Sequence, residues 1–527
     1  MHALTRRSLP LLCCLALGSP AMAQLRMTSW NVTNYSTSVP SSRDSAFQTC
    51  IYGVPPSGTT YAGKPMAPDV FVGQEFLSQA AVTNFLNLLN TAPGSPGDWA
   101  AAPFLDGPDT DSAFFYRTSK IDYLATTVIA LGSTSTSNQP RNTERYDIRI
   151  KGYSALSATL GIYSVHLKAQ GGTNSAGRRL VEATNIRNNA QGIDTNGPGT
   201  ALPAGYRFLV AGDMNAQASS EPFYVEFVGS QANNDGQFFD PISTPGTWNN
   251  NGTYHNIHTQ EPSTQMDDRH DQILMCAGLL TGTGFGYIGN YPTAWDLNTF
   301  ADPNHSYRCW GNDGTTFNLP INTTNNAMVG NAIASALIVS VAGNGHLPVM
   351  VDMRVPAKIA APTSIDFGTV ALNSVAQQNL SVANGGNVAL WNAAGIDSLS
   401  YSMSASAGFA APAGGFSSAP GAAADLQSIS MDTSSPGVKS GTVTITCNDP
   451  DHTTWIVNLT GTVSTPPPSC PGDANGDLFV NTLDLGVVLA NFGASVPANT
   501  LGDFNGDGVV NTLDLGIELA HFGADCH

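Results

Sequence analysis

Short apolar runs separated by Gly-, Asn- and Ser-rich stretches dominate the first two-thirds of this chain. Val70-Phe71-Val72, Ile162-Tyr163-Ser164-Val165 and Phe208-Leu209-Val210 are bounded by polar and turn residues and predict buried strands. Residues 78–89 predict a helix. Strand and helix signals interleave over residues 24–356, which predicts a layered α/β sandwich.

The pattern changes at about residue 357. Over 357–463 the strand candidates are 365–370, 378–382, 441–446 and 455–459, with turn residues and no convincing helix between them. That spacing is expected of an all-β, immunoglobulin-like sandwich, similar to bacterial adhesion-type or spacer domains. It carries no catalytic constellation. A stiff Pro-rich linker, 464–469, follows. Residues 470–527 then hold a 30-residue repeat: 472–493 and 502–523 are nearly the same sequence, which marks a duplicated unit.

Composition sharpens this outline. Of 527 residues only 11% are charged, against about 25% in an average soluble domain. Residues 1–23 have the form of an export signal: Arg6 and Arg7, an apolar stretch from Leu9 to Leu17, then Ala21-Met22-Ala23. The apolar stretch is too short to span a bilayer, and no later segment looks transmembrane. An ordinary secretory signal and a twin-arginine signal both fit it. The expectation is a secreted or cell-surface protein. Six cysteines then remain, Cys50, Cys276, Cys309, Cys447, Cys470 and Cys526, and sequence alone does not pair them. Net charge is −18. Residues 24–356 hold 25 acidic and 17 basic side chains and no long basic run, which argues against tight, non-specific duplex binding.

The repeats place oxygen-bearing side chains at the spacing a hard cation needs. Asp473, Asn475, Asp477, Asn481 and Asp484 occupy loop positions 1, 3, 5, 9 and 12. Asp503, Asn505, Asp507, Asn511 and Asp514 repeat the set, with the carbonyls of Phe479 and Val509 at position 7. Each loop runs into an apolar, helix-like segment. Position 6 favours Gly, which Gly508 supplies and Leu478 does not, so the first site is expected to be the weaker. These EF-hand-like units resemble type I dockerins. The resemblance covers nearly all of 472–523 and implies Ca²⁺ and a cohesin-like or cell-surface scaffold as partner. Cys470 and Cys526 flank the pair, and a disulfide clasp between them is a hypothesis.

A second set of motifs runs through residues 24–356. In order they are Ser29-Trp30-Asn31, Gly73-Gln74-Glu75, Val165-His166-Leu167-Lys168, Gly212-Asp213-Met214-Asn215, Asp268-Arg269-His270-Asp271 and Gly345-His346-Leu347-Pro348. Phosphoester cleavage needs a divalent metal, a base and donors for the developing charge. Each motif alone is weak, and the order carries the signal. Together they resemble the endonuclease/exonuclease/phosphatase superfamily, and Tyr307-Arg308 and Gly311-Asn312-Asp313-Gly314 bring the likeness nearest to its exported bacterial members.

The resemblance implies a four-layer α/β sandwich with the site at one rim. It implies Mg²⁺ or Mn²⁺ on Asn31 and Glu75, and His166 on the scissile phosphate. Asp213 would orient the attacking water or a metal-bound oxygen, and Asn215 would donate to the phosphate. His346 would pair with Asp271 as a general base or phosphate-stabilising dyad, with Asp268 a lesser candidate and Arg141 a phosphate-facing residue. Gly345 stands where the family carries a metal-ligating carboxylate, so weaker metal binding follows, relieved if Asn344 or a water takes that place. The expected activity is phosphodiesterase or nuclease, with sphingomyelinase-like or phosphomonoesterase activity as the alternative enzyme. A catalytically degenerate surface or scaffold-binding protein is the other class.

Overall fold

The computed structural model describes residues 24–37, 41–194, 199–341, 343, 345–465 and 470–526. The export signal read at 1–23, Asn344 and most of the Pro-rich linker lie outside the described residues.

The first domain contains strands β1 (Leu25–Tyr35), β2 (Val70–Phe76), β3 (Trp99–Ala101), β4 (Asp111–Arg117), β5 (Ile121–Ala130), β6 (Thr143–Ile150), β7 (Thr159–His166), β8 (Arg207–Asp213), β9 (Phe238–Phe239), β10 (Asp271–Cys276), β11 (Gly286–Tyr287), β12 (Arg308–Cys309) and β13 (Val349–Arg354). Its helices are α1 (Ser41–Tyr52), α2 (Gln79–Thr91), α3 (Thr173–Ala190), α4 (Pro222–Val228) and α5 (Asn331–Val341). One mixed sheet runs β11-β13-β1-β2-β4-β3, with β12 also on β13; the other runs β5-β6-β7-β8-β10-β9. Met27, Val70, Val72 and Phe114 of the first sheet share a core with Ile148, Leu160, Ile162 and Leu209 of the second. Strands buried on both faces read as continuous apolar runs, and β7 is buried at all eight positions. The outer face of the first sheet packs Trp30, Phe71 and Phe115 against Phe47 of α1, Phe85 of α2 and Leu337 of α5. On the other side, Ala183 and Ile186 of α3 and Phe223 and Phe227 of α4 join the core of the second sheet. Helices, sheet, sheet and helices therefore follow one another. Ser78 is the cap of α2, its Oγ accepting the Ala81 N–H at 3.2 Å.

The β-rich region has strands β14 (Ile359–Ala360), β15 (Ser364–Ala371), β16 (Gln377–Asn384), β17 (Leu399–Ala405), β18 (Phe409–Ala410), β19 (Gly415–Ser418), β20 (Asp425–Met431), β21 (Gly437–Cys447) and β22 (Thr454–Ser464). They form two sheets, β14-β16-β20-β18 and β15-β22-β21-β17-β19. Between them lie Leu380, Val382, Ile429, Val443, Ile445, Val457 and Leu459. The expectation of no helix here needs one correction. A single turn, α6 (Val388–Trp391), interrupts the strands, because Asn387 caps it and Trp391 buries its ring. Trp391 and Ile396 belong to the core of the first domain, and Lys120 lies 5.1 Å from the Trp391 ring centroid. The Asp451 carboxylate seals the junction, accepting from Ser154 N (2.8 Å), Ser154 Oγ (3.0 Å) and Ala155 N (2.7 Å).

The C-terminal repeats fold as two loop–helix units, with helices α7 (Thr482–Ala490) and α8 (Thr512–His521). Asn481 and Asn511 cap them, each in a reciprocal box with Asp484 or Asp514. Val480, Val488 and Val510 form the small buried core. The clasp between Cys470 and Cys526 is present, closing 56 residues. Cys50, Cys276, Cys309 and Cys447 are free thiols. Among the described residues no helix is long and apolar enough to cross a membrane.

Candidate active site

Strand pairing brings the dispersed motifs to one rim. In the second sheet His166 at the end of β7 is register partner to Asp213 at the end of parallel β8. Asp213 is in turn partner to Asp271, the first residue of antiparallel β10. A Cβ on Gly212 would lie 1.9 Å from the Val165 carbonyl oxygen, so only glycine lets these strands close up beside Asp213. In the first sheet Asn31 is partner to Gln74, and Glu75 follows. The β1–β2 ladder slips immediately afterwards, and Thr33, Asn34, Glu75 and Asn215 all take positive φ. Such backbone costs about 1–3 kcal/mol per residue and persists where surroundings over-determine it. Here it re-aims side chains across the gap between the sheets.

Asp213 is the centre of the cluster. Its Oδ2 lies 3.4 Å from His166 Nε2 and 3.5 Å from His346 Nε2, and accepts from Asn31 Nδ2 at 3.1 Å. Its Oδ1 accepts the Asn215 N–H at 2.9 Å. Glu75 accepts from Asn31 Nδ2 at 2.9 Å and from Asn34 N at 2.8 Å. His346 donates from Nδ1 to Asp271 Oδ2 at 2.7 Å, and its carbonyl accepts from Trp30 Nε1 at 2.8 Å. The Asn215 amide donates to Leu167 O at 3.1 Å, which leaves its second N–H for a ligand.

Electrostatics sorts these groups. Burial works against a charged His346, but Asp271 and Asp213 outweigh it and raise its pKa to about 10. Burial also opposes a charged Asp213, yet His346, His166 and His270 hold it below the usual carboxylate range. His166 goes the other way: burial, then Arg141, push it down to about 4. Neutral pH therefore finds a His346 imidazolium beside an Asp213 carboxylate and a neutral His166.

The remaining candidates fall around this centre. Arg141 donates to His166 O (3.1 Å) and Thr110 Oγ1 (3.1 Å), and pairs with Asp109 at 3.1 Å. Asp268 stands apart, accepting from Asn249 Nδ2 at 2.8 Å, with Oδ2 3.7 Å from His270 Nε2. Gly345 is tightly packed: a Cβ there would lie 2.3 Å from Val341 Cβ in α5. A side chain at 345 would run into that helix, so a carboxylate cannot simply be restored at this position. Sequence reading missed His270, a buried imidazole 6.5 Å from His346 centroid to centroid, and Gln260, whose amide lies 3.1 Å from His346 Nε2. His270 was open to view as the neighbour of Asp271. Gln260 comes from a loop with no motif to mark it.

The oxygen set suits a hard divalent cation. Asp271 Oδ1 is buried without a hydrogen-bond partner, an acceptor left over among three carboxylates. Ligand atoms of Asp213, Asp271 and His346 lie within 4.8 Å of one another. A protonated His346 is a poor ligand, however, so Glu75, Asn31 and Asp213 form the better face. Asn31 currently turns its amide nitrogen to both carboxylates while its oxygen accepts from Thr33 N at 3.0 Å. Turning that amide over would present its oxygen to a cation.

In the tail, Asp473, Asp477 and Asp484 converge within 4.8 Å. The Asn481 and Asn511 side chains accept from Leu483 N and Leu513 N, both at 2.8 Å, so they serve their helices as caps. Asn475 and Asn505 each donate to the neighbouring Asp, at 2.9 and 3.0 Å.

No family model and no curated protein sequence matches the chain. Several solved structures are similar to it. The human Nocturnin catalytic domain is 14% identical, over 62% of this chain and 93% of its own, with a TM-score of 0.33. An endonuclease/exonuclease/phosphatase from Beutenbergia cavernae is 12% identical, over 84% of this chain and all of its own, at 0.33. A humanized D. rerio TDP2 is 14% identical, over 63% and 99%, at 0.34. What this site can do follows from its own residues.

Proposed function

We propose that residues 24–356 hydrolyse phosphate esters at the rim centred on Asp213. The observation that carries this reading is the Asp213 carboxylate lying within 3.5 Å of both His166 Nε2 and His346 Nε2. A carboxylate between two imidazoles, with a charged His–Asp pair on one side and amide donors on the other, is a cradle for a phosphoryl group and a water.

Glu75, Asn31 and Asp213 would hold Mg²⁺ or Mn²⁺, which would neutralise charge on the phosphoryl oxygens. The chain's own groups have separate tasks. The His346 imidazolium binds phosphate oxygen and can give up its Nε2 proton. Asp271 keeps Nδ1 as the other donor and holds the charge. Asp213 accepts a hydrogen bond from the attacking water. His166, neutral, and the free N–H of Asn215 donate to the phosphate.

A phosphodiester is the favoured substrate class. The surplus of acidic over basic side chains suits short or single-stranded nucleic acid better than bulk duplex. The C-terminal units fit Ca²⁺ through their paired acidic loops and, being exported with the enzyme, would tether it to a cohesin-like or cell-surface scaffold.

The test is turnover by the purified chain with Mg²⁺, Mn²⁺ or Ca²⁺ on bis-p-nitrophenyl phosphate, an oligonucleotide, plasmid DNA and sphingomyelin. Hydrolysis that falls by about 10²–10⁴ in His346→Ala supports the reading. Turnover of sphingomyelin alone moves the substrate to lipid. An inert wild type favours a degenerate binding domain, and full activity in His346→Ala overturns the site.

A further inference from the structure

The rim is two-sided in charge. In the second sheet β7 flanks β8 on one side and β10 on the other, so the loops around Asp213 divide the same way. On the β10 side no Lys or Arg occurs from residue 208 to 268, and Arg269 is fully buried on Asp240. The surface there is amide and acid. Asn249 Nδ2 donates to Asp268 Oδ1 at 2.8 Å, and Asn318 Nδ2 to Asn250 Oδ1 at 2.9 Å. Gln260 joins this ridge to the dyad, its backbone paired with both Asp268 and His346.

The β7 side is cationic. Lys168 follows His166 by two residues. Arg179 donates to Lys168 O at 2.7 Å and to Gln170 O at 2.8 Å, which presses this loop onto the second turn of α3, beside Arg178. Arg178 Nε donates to Asn138 O, and Asn174 Nδ2 to Thr136 O at 3.2 Å, so the hairpin between β5 and β6 lies on the same helix. Arg141 of that hairpin reaches back to His166 O at 3.1 Å. Lys168, Arg178 and Arg141 thus enclose the end of β7.

Two of the three are available to a ligand. Arg141 is committed to Thr110, His166 O and Asp109. Lys168 Nζ donates to Ala169 O at 2.9 Å, which leaves two of its three donors, and Arg178 keeps its terminal nitrogens. Among the described residues neither is ion-paired. Burial, then Arg178 and Arg141, hold the Lys168 amine below its usual range, as crowded like charges do. Such charges repel one another, and an anion between them replaces repulsion by attraction.

We infer that Lys168 and Arg178 bind a second anionic group of the substrate, on the β7 side of the scissile phosphate, while the β10 side takes a neutral, hydroxyl-bearing group. This inference rests on the hydrolase reading above. A nucleic-acid strand threaded through the site would place phosphates on both sides. On the β10 side Asp267 and Asp268 repel such a phosphate and no cation offsets them. The substrate is therefore the end of a single strand, its remaining phosphates running towards α3. The terminal nucleoside lies on the amide ridge, whose donors and acceptors suit hydroxyl groups and base edges.

The test uses the full chain with Mg²⁺ or Mn²⁺ on p-nitrophenyl phosphodiesters of thymidine, each with and without a phosphate on the other sugar hydroxyl, in both polarities. In one polarity the added phosphate should raise kcat/KM by about tenfold, mostly through KM, and by less at high salt. Lys168→Gln and Arg178→Gln should each lower that ratio by about threefold or more, and Lys168→Arg should keep it. A ratio taken within one variant is unaffected by any loss of folded protein. On an end-labelled single-stranded oligonucleotide, wild type should release mononucleotides from one end. Equal kcat/KM with and without the phosphate in both polarities would overturn the anion subsite, and an unchanged ratio in both Gln variants would overturn its assignment to these residues. Internal fragments from the oligonucleotide would overturn the neutral β10 side. If wild type turns over none of these esters, the hydrolase reading fails and the inference with it.

Discussion

The charge on His346 is set by its neighbours, and that has a consequence in pH. Folding raises this pKa from about 6.5 to about 10 through Asp271 and Asp213, against burial. The stabilisation is therefore fully present below about 6.5 and is lost as pH rises through about 10. The activity limb assigned to His346 should stay flat across neutral pH and fall near 10. Asp271→Asn removes the largest favourable influence and should move that limb down by more than one pH unit, measured as a pH profile of kcat/KM. An unmoved limb would separate the dyad from the observed pKa. Gly345 makes the opposite point. The sequence shows a missing carboxylate, while the packing shows that a Cβ would stand 2.3 Å from Val341 Cβ. Gly345→Asp should lower Tm and give no gain in turnover, because overpacking of this kind costs about 1–3 kcal/mol. Which side chain is absent could be read from the chain; which way its bond would point could not.

At the scale of elements, apolar runs were the legible part. Val70-Phe71-Val72, Ile162–Val165 and Phe208-Leu209-Val210 fall inside β2, β7 and β8 because strands buried on both faces leave an uninterrupted signal. Short β3, β9, β11 and β12, two or three residues each, leave none. The acidic loops were legible as well, but their internal wiring was not. Asn481 and Asn511 stand at ligand spacing in sequence and act as caps in space, since an Asn before a helix satisfies N–H groups that have no other partner. Position 6 shows a cost that spacing alone suggested: Leu478 has φ 67° where Gly508 has φ 81°. A left-handed Leu costs about 1–2 kcal/mol, so Leu478→Gly should stabilise the first loop by about 1 kcal/mol. Local hydrogen exchange in EDTA would check it, and first-loop peptides no better protected in Leu478→Gly than in wild type would refute it.

At the scale of the molecule, the β-rich region meets the first domain at the end of the sheets remote from the site. His166 and Asp213 close β7 and β8, whereas Ser154, Ala155 and the Asp451 carboxylate lie before β7 begins. Eight strand residues at about 3.3 Å each separate the two ends by roughly 23 Å. Asp451→Ala should therefore lower stability by about 1–3 kcal/mol, for its lost hydrogen bonds, and leave KM unchanged. A changed KM at unchanged stability would mean that this junction reaches the site. The junction itself was not legible: Trp391 sits in a region patterned as strands, yet its ring is buried with the preceding domain. β22 begins beside that junction and runs eleven residues to Ser464. At about 3.4 Å per residue it is about 35 Å long. The β-rich region is thus joined to the first domain a full buried strand away from the rim, so strain at the joint must cross the whole of β7 before it reaches His166.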